Sequence, residues 1–259
     1  EVCYHLSCFV FFIDNLINIV KSTNVGCYIS SVFAGILLYA DDIMLLAPTV
    51  TALQIMLVAC ELELKSIGMQ INVQKSACMR FGYRYDSPCS SIISLSGNTL
   101  KWVTSFKYLG IVIVSGKRFR CLFDACKKKF FGSFNAIFGR VGRFASEEVI
   151  LHLIRTKCLP VLLYAIEACP LLSRDVHSFE FVINRCLMKL FKTSSIVVVN
   201  ECCDFFGFTP IRLTIETRTV KFLERYISSE NIVCSCFARF ATAQLNGLRR
   251  AFAADMPVL

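Results

Sequence analysis

The chain has 259 residues, 55% of them hydrophobic with 23 Phe, and a net charge of +9. That is enough apolar material for one large domain or two smaller ones, and a mean hydropathy of +0.58 raises the question of a membrane protein. The longest apolar runs, Val32 to Pro48 and Lys157 to Leu172, carry Asp41 with Asp42 and Glu167 respectively; neither offers the ~20 uninterrupted apolar residues of a spanning helix, so no membrane is expected. The 15 Cys form no Cys-x-x-Cys pair, and His5, His152 and His177 stand far from plausible partners. That excludes ordinary zinc spacing and points to reduced thiols in an intracellular protein.

In chain order, apolar residues at Phe12, Leu16 and Ile19 predict a helix over Phe9 to Ile19. Two apolar runs, Phe33 to Tyr39 and Ile43 to Ala47, flank Ala40-Asp41-Asp42 and predict a buried hairpin. Thr51 to Ile67 repeats apolar residues at helical spacing, with Gly68 where a left-handed cap belongs. Strands are expected over Met69 to Val73 and Ser76 to Phe81, around Gln74-Lys75. A hairpin is expected around Gly97-Asn98, and a third β segment over Phe106 to Val114.

Beyond Gly116 the pattern turns helical. Helices are expected over Phe119 to Phe138, Ser146 to Leu159 with a capped acidic first turn, Val161 to Cys169, Val176 to Phe191 and Thr214 to Ser228. The change near residue 115 is the natural domain boundary.

The segment with chemical content is Leu37-Leu38-Tyr39-Ala40-Asp41-Asp42-Ile43-Met44-Leu45-Leu46. Adjacent carboxylates repel, and apolar flanks that deny them solvent call for a cation or a basic partner. A turn between strands suits a Mg²⁺ ion that also binds substrate phosphates. A solvated Asp-Asp turn is the plain alternative.

Tyr39-Ala40-Asp41-Asp42 within apolar strands resembles the motif C hairpin of reverse transcriptases. Ser66-Ile67-Gly68-Met69-Gln70-Ile71-Asn72-Val73-Gln74-Lys75-Ser76 resembles motif D of non-LTR (LINE-type) elements. Phe106-Lys107-Tyr108-Leu109-Gly110-Ile111 resembles motif E, the primer grip, and Leu163-Tyr164-Ala165-Ile166-Glu167 resembles the thumb region of those elements. The resemblance covers roughly residues 9–230, with the motifs in family order.

The resemblance implies an α+β fold: a partial palm of antiparallel strands and helices over 1–115, a helical thumb over 116–195, and a C-terminal helical extension over 196–259. Asp41 and Asp42 would be metal ligands for two Mg²⁺ ions in the complete site, and Tyr39 would lie beside the nucleotide. Lys75 would assist the pyrophosphate leaving group, and Tyr108, Leu109 and Gly110 would position the primer. The implied partners are an RNA template, a DNA primer and deoxynucleoside triphosphates, in the nucleus; no protein partner is indicated.

Two departures qualify this. The further aspartate expected from motif A has no counterpart, since Asp14 in Phe12-Ile13-Asp14-Asn15-Leu16 resembles the helix after motif B. Glu1-Val2-Cys3-Tyr4-His5-Leu6-Ser7-Cys8 also departs from the family's Gly-rich approach, and Glu1 is no initiator. The chain is therefore expected to be the carboxy-terminal fragment of a polymerase, inactive alone.

Charge is concentrated just after motif E. Residues 101–160 hold 12 Lys and Arg against 3 Asp and Glu, whereas residues 1–100 hold 5 against 7. Lys127, Lys128, Lys129, Arg140, Arg143, Arg155 and Lys157 interleave with Phe119, Phe123, Phe130, Phe131, Phe134 and Phe138. This pattern fits a helix bundle packed on one side with its basic side toward a nucleic-acid backbone, the first five cations being the proposed contacts. A solvated helix face is the alternative. Three readings remain open: a reverse-transcriptase fragment, a catalytically dead nucleic-acid-binding remnant, and an apolar membrane protein.

Overall fold

The computed structural model describes residues 14–142 and 144–255. It is an α+β protein whose chain divides into two compact units. The first runs to Phe106 and adds Ser115–Arg118 and Asn231–Cys236; the second comprises Lys107–Val114, Phe119–Glu230 and Phe237–Leu259.

In the first unit a helix over 14–22 (α1) leads to a short hairpin, β1 (Tyr28–Ile29) and β2 (Val32–Phe33). The part of the expected first helix before residue 14 lies outside the described residues. The hairpin β3 (Ile36–Tyr39) and β4 (Asp42–Leu45) follows, then helix α2 (Val50–Ser66). Thr49 caps α2 by accepting from the Ala52 N–H at 3.1 Å, and Gly68, at φ 75°, ends it in the left-handed conformation that glycine tolerates without steric cost.

Helix α2 serves two cores, which explains its nearly continuous apolar sequence. Met56, Cys60 and Leu64 pack with Leu16, Val20 and Ile36, while Leu57 packs with Cys78, Ile92 and Leu100. The second cluster belongs to a three-stranded sheet of order β5 (Ala77–Cys78), β7 (Thr99–Trp102), β6 (Ile92–Ile93). Strand β6 is secured from α2 by Gln54, whose amide donates to the Ile93 carbonyl at 2.7 Å and accepts its N–H at 2.8 Å.

The strands expected over 69–73 and 76–81 reduce to Ala77–Cys78. Asn72 is the reason. Its Oδ1 accepts from the N–H groups of Gln74 and Lys75, at 3.1 and 3.2 Å, and its carbonyl from those of Lys75 and Ser76. This local turn competes for the groups that a strand would pair.

The division of the chain passes through β8 (Ser105–Tyr108), which joins β9 (Ile111–Val114) and β10 (Arg120–Leu122) in a sheet of order β10-β9-β8. The helix expected from Phe119 starts only at Asp124, because Arg120, Cys121 and Leu122 pair with Val114, Ile113 and Val112 along β9.

The second unit is a helical bundle: α3 (Asp124–Val141), α4 (Glu147–Leu153), α5 (Leu159–Leu162), α6 (Ser173–Leu190), α7 (Ile196–Phe205), α8 (Ile211–Ile227) and, from Phe237 on, α9 (Ile232–Asp255). Phe130 and Phe134 of α3 are fully buried against Phe179, Ile183, Cys186 and Leu187 of α6, residues spaced to share one helix face. A smaller cluster joins Leu223 of α8 to Ala241 and Leu245 of α9.

Ser146 caps α4 as its sequence predicts. The segment Glu147–Ala168 continues through a π-helical turn (Ile154–Cys158) and α5, so its 22 residues exceed either apolar run taken alone. By length and composition it could cross a bilayer. Its Ile150, Leu151, Ile154, Cys158, Leu162, Leu163 and Ile166 are instead core of this unit, each at most 2% exposed.

Candidate functional site: an acidic hairpin and a helical unit with a basic face

In the hairpin β3–β4, Ile36 opposes Leu45, Leu37 opposes Met44, Leu38 opposes Ile43 and Tyr39 opposes Asp42, leaving Ala40-Asp41 as a two-residue turn. Directly opposed residues project from the same sheet face, so the Tyr39 ring and the Asp42 carboxylate are neighbours. Ala40 holds a φ of 49°, a left-handed conformation that a β-carbon makes costly by about 1–2 kcal/mol.

The hairpin is anchored at its base and open at its tip. Ile36 is buried against α2, whereas Tyr39 is 62% exposed and Ala40, Asp41 and Asp42 are all exposed. This corrects the expectation that apolar flanks shield the carboxylates. Among the described residues this sheet has two strands, β3 and β4, and the exposed turn extends beyond the apolar residues at its base. Neither carboxylate has a hydrogen-bond or ion-pair partner among the described residues.

These oxygens fit a divalent cation in part. Mg²⁺ is commonly held by one or two carboxylates together with water and substrate phosphates, and two free carboxylates at an exposed turn supply that minimum. Among the described residues no group of three or more His, Cys, Asp or Glu side chains is placed to hold a metal. Lys75 is exposed on the Asn72 turn of the same unit, its backbone fixed and its ammonium without a partner among the described residues.

In the second unit, Leu109-Gly110 forms the two-residue turn between β8 and β9, at φ 45° and 85°. Two consecutive positive φ values match the twist of a tight hairpin. A β-carbon on Gly110 would lie 2.8 Å from Cε1 of Tyr164. Sequence reading named the Tyr108-Leu109-Gly110 turn and the Tyr164 segment separately; periodicity cannot reveal that they touch.

The basic residues divide into two groups. Lys127 is half-buried, with Nζ 2.8 Å from Asp124 and donating to Ser178 Oγ at 2.9 Å. Its hydrogen bond and charge hold the Asp124 carboxyl below its ordinary range. Arg155 is also internally engaged, donating to the carbonyls of Phe206 and Gly207 and lying over the Phe208 ring. Lys128, Lys129 and Arg140 are exposed, without ion-pair partners among the described residues. Arg143 lies outside the described residues. Lys189, which the motifs do not single out, sits over the rings of Phe134 and Phe138 and donates to Asn135.

The thirteen described cysteines are free thiols. Burial pushes Cys60 and Cys78 up to about 11 and Cys169 and Cys186 up to about 12, so these four are protonated and poorly nucleophilic at neutral pH.

Residues 6–113 match the family model described as reverse transcriptase (RNA-dependent DNA polymerase). The matched stretch, under half of the chain, contains the acidic hairpin, the Asn72 turn and the Leu109-Gly110 turn. It supports a reverse-transcriptase-type polymerase segment here. A search among curated proteins finds no match to the chain.

Proposed function

We propose that the chain is the carboxy-terminal portion of a non-LTR (LINE-type) retrotransposon reverse transcriptase, acting in RNA-templated DNA synthesis within a longer polymerase. The observation that carries this reading is the Tyr39-Ala40-Asp41-Asp42 hairpin, with two carboxylates unpartnered among the described residues at its exposed tip, inside the segment similar to the family. Residues 1–115 would be palm, 116–195 thumb and 196–259 a helical extension. The retrotransposon origin rests on the motif D and thumb resemblances, and a nuclear location follows from copying into chromosomal DNA.

Asp41 and Asp42 would donate carboxylate oxygens to the cations of a two-Mg²⁺ site, with a further aspartate from elsewhere in the full-length protein. Bound Mg²⁺ would neutralise the triphosphate and lower the pKa of the attacking primer hydroxyl. Tyr39, on the Asp42 face of the hairpin, would pack against the incoming deoxynucleoside triphosphate. Lys75 would offset charge on the departing pyrophosphate. Tyr108, Leu109 and Gly110 would hold the primer strand, and Lys127, Lys128, Lys129, Arg140 and Arg143 would serve the template–primer backbone. The free side chains of Lys128, Lys129 and Arg140 favour them over Lys127 in that role.

Primer extension on an RNA template with Mg²⁺, using the longest native reading frame containing this chain, tests the proposal beside its Asp41→Ala variant. Extension that disappears in the variant is the expected result. A second reading, a nucleic-acid-binding remnant without chemistry, is favoured by the lack of a third metal-binding side chain among the described residues. Template–primer binding without extension in either protein would support it.

A further inference from the structure

Tyr164 combines features that packing alone does not explain. It lies between Leu163 and Ala165, and Leu162, Leu163 and Ile166 around it are each 1% exposed, yet Tyr164 itself is 58% exposed. Its hydroxyl has no hydrogen-bond partner among the described residues. The backbone just beyond it is committed: Ala165 adopts a φ of 51°, and Glu167, three residues on, is gripped by Arg218. One edge of the ring rests on the Leu109-Gly110 turn, where Leu109 is itself 41% exposed. A large aromatic side chain is thus fixed in place with part of its surface facing solvent.

From this juxtaposition we infer that Tyr164 is a stacking platform for a nucleotide of the strand held by the Leu109-Gly110 turn. The inference rests on the polymerase reading above and adds a residue and a contact to it. Aromatic rings bind nucleotides of any sequence because every base has a π face. A preorganised ring loses little side-chain entropy on binding, which is the advantage of the fixed backbone. The absence of a β-carbon on Gly110 allows the ring to approach the turn, next to the partly exposed Leu109 in sequence. Tyr164 is a positioning residue and takes no part in bond making.

The test uses the full chain with an RNA template and a DNA primer carrying fluorescein at its 5′ end. 5-Iododeoxyuridine is placed in turn at each of the last four primer positions. Anisotropy reads affinity, and irradiation followed by peptide mass spectrometry reads which residue stacks on the halogenated base. The expected result is a cross-link to residue 164 from one primer position, retained in Tyr164→Phe and lost in Tyr164→Leu. The leucine variant, which keeps apolar cover over Gly110, should melt as the parent does but bind about tenfold more weakly. Binding by the parent with no cross-link to Tyr164 from any position would overturn the platform and leave the polymerase reading intact. Absence of template–primer binding by the parent would overturn both.

Discussion

Arg218 grips the carboxylate of Glu167 from α8: Nη2 donates to Oε1 at 3.0 Å and Oε2 at 3.1 Å, and Nε reaches Oε2 at 3.3 Å. Glu167 is 17% exposed on the short 3₁₀ turn Ile166–Ala168, just past Tyr164. The forked geometry suits arginine and would not survive replacement by lysine. Removing Arg218 leaves the mostly buried Glu167 carboxylate without compensation, and removing Glu167 leaves the more exposed guanidinium without its forked acceptor. Glu167→Ala and Arg218→Ala are each expected to lower unfolding free energy by about 1–3 kcal/mol. Chemical denaturation of both single variants and the double variant checks this; fully additive losses would show that the pair is not coupled.

At the acidic hairpin, fold and chemistry should separate. Asp41 and Asp42 are exposed and unpartnered among the described residues, so Asp41→Ala and Asp42→Ala should melt as the parent does. Ala40→Gly should be more stable by about 1 kcal/mol, since glycine relieves the left-handed backbone at φ 49°. Thermal unfolding of the three variants is the measurement. A large loss of stability in either aspartate variant would indicate a structural role for the turn.

Exposed and engaged lysines should differ in their salt dependence. If Lys128, Lys129 and Arg140 meet phosphates, each alanine substitution should reduce the slope of log affinity against log salt by about 1. Lys127→Ala should change that slope little and instead lower the melting temperature, because Lys127 already bridges Asp124 and Ser178. Titrations of template–primer at several salt concentrations decide the matter. A slope unaffected in the first three variants would place the contact elsewhere.

The buried thiols give the fold an alkaline weakness. Burial raises Cys60 and Cys78 from the ordinary 9.0 to about 11, and Cys169 and Cys186 to about 12. The folded state therefore retains protons that the unfolded state has released. This stability is fully present below pH 9 and is lost as pH rises through 11 to 12. Denaturation midpoints should fall steadily above pH 9. Iodoacetamide at pH 8 should spare these four cysteines until denaturant is added, and early labelling of Cys186 would contradict its burial.

Local pattern determined much of this molecule. Alternating apolar runs around Ala40-Asp41-Asp42 specify the hairpin, the helical spacing from Thr51 to Ile67 with Gly68 behind it specifies α2, and Ser146 marks the start of α4. Each depends on interactions within a few residues of chain, which spacing and capping chemistry describe directly. Tertiary structure decided the remainder. Whether Asp41 and Asp42 face solvent depends on how many strands flank β3 and β4. Whether 120–122 is helix or strand depends on the open edge of β9, and the release of Lys128 but not Lys127 depends on Ser178, fifty-one residues beyond Lys127. The contact of Tyr164 with Gly110 likewise joins segments more than fifty residues apart. Such pairings follow from which surfaces the folded backbone brings together, and no local periodicity records them.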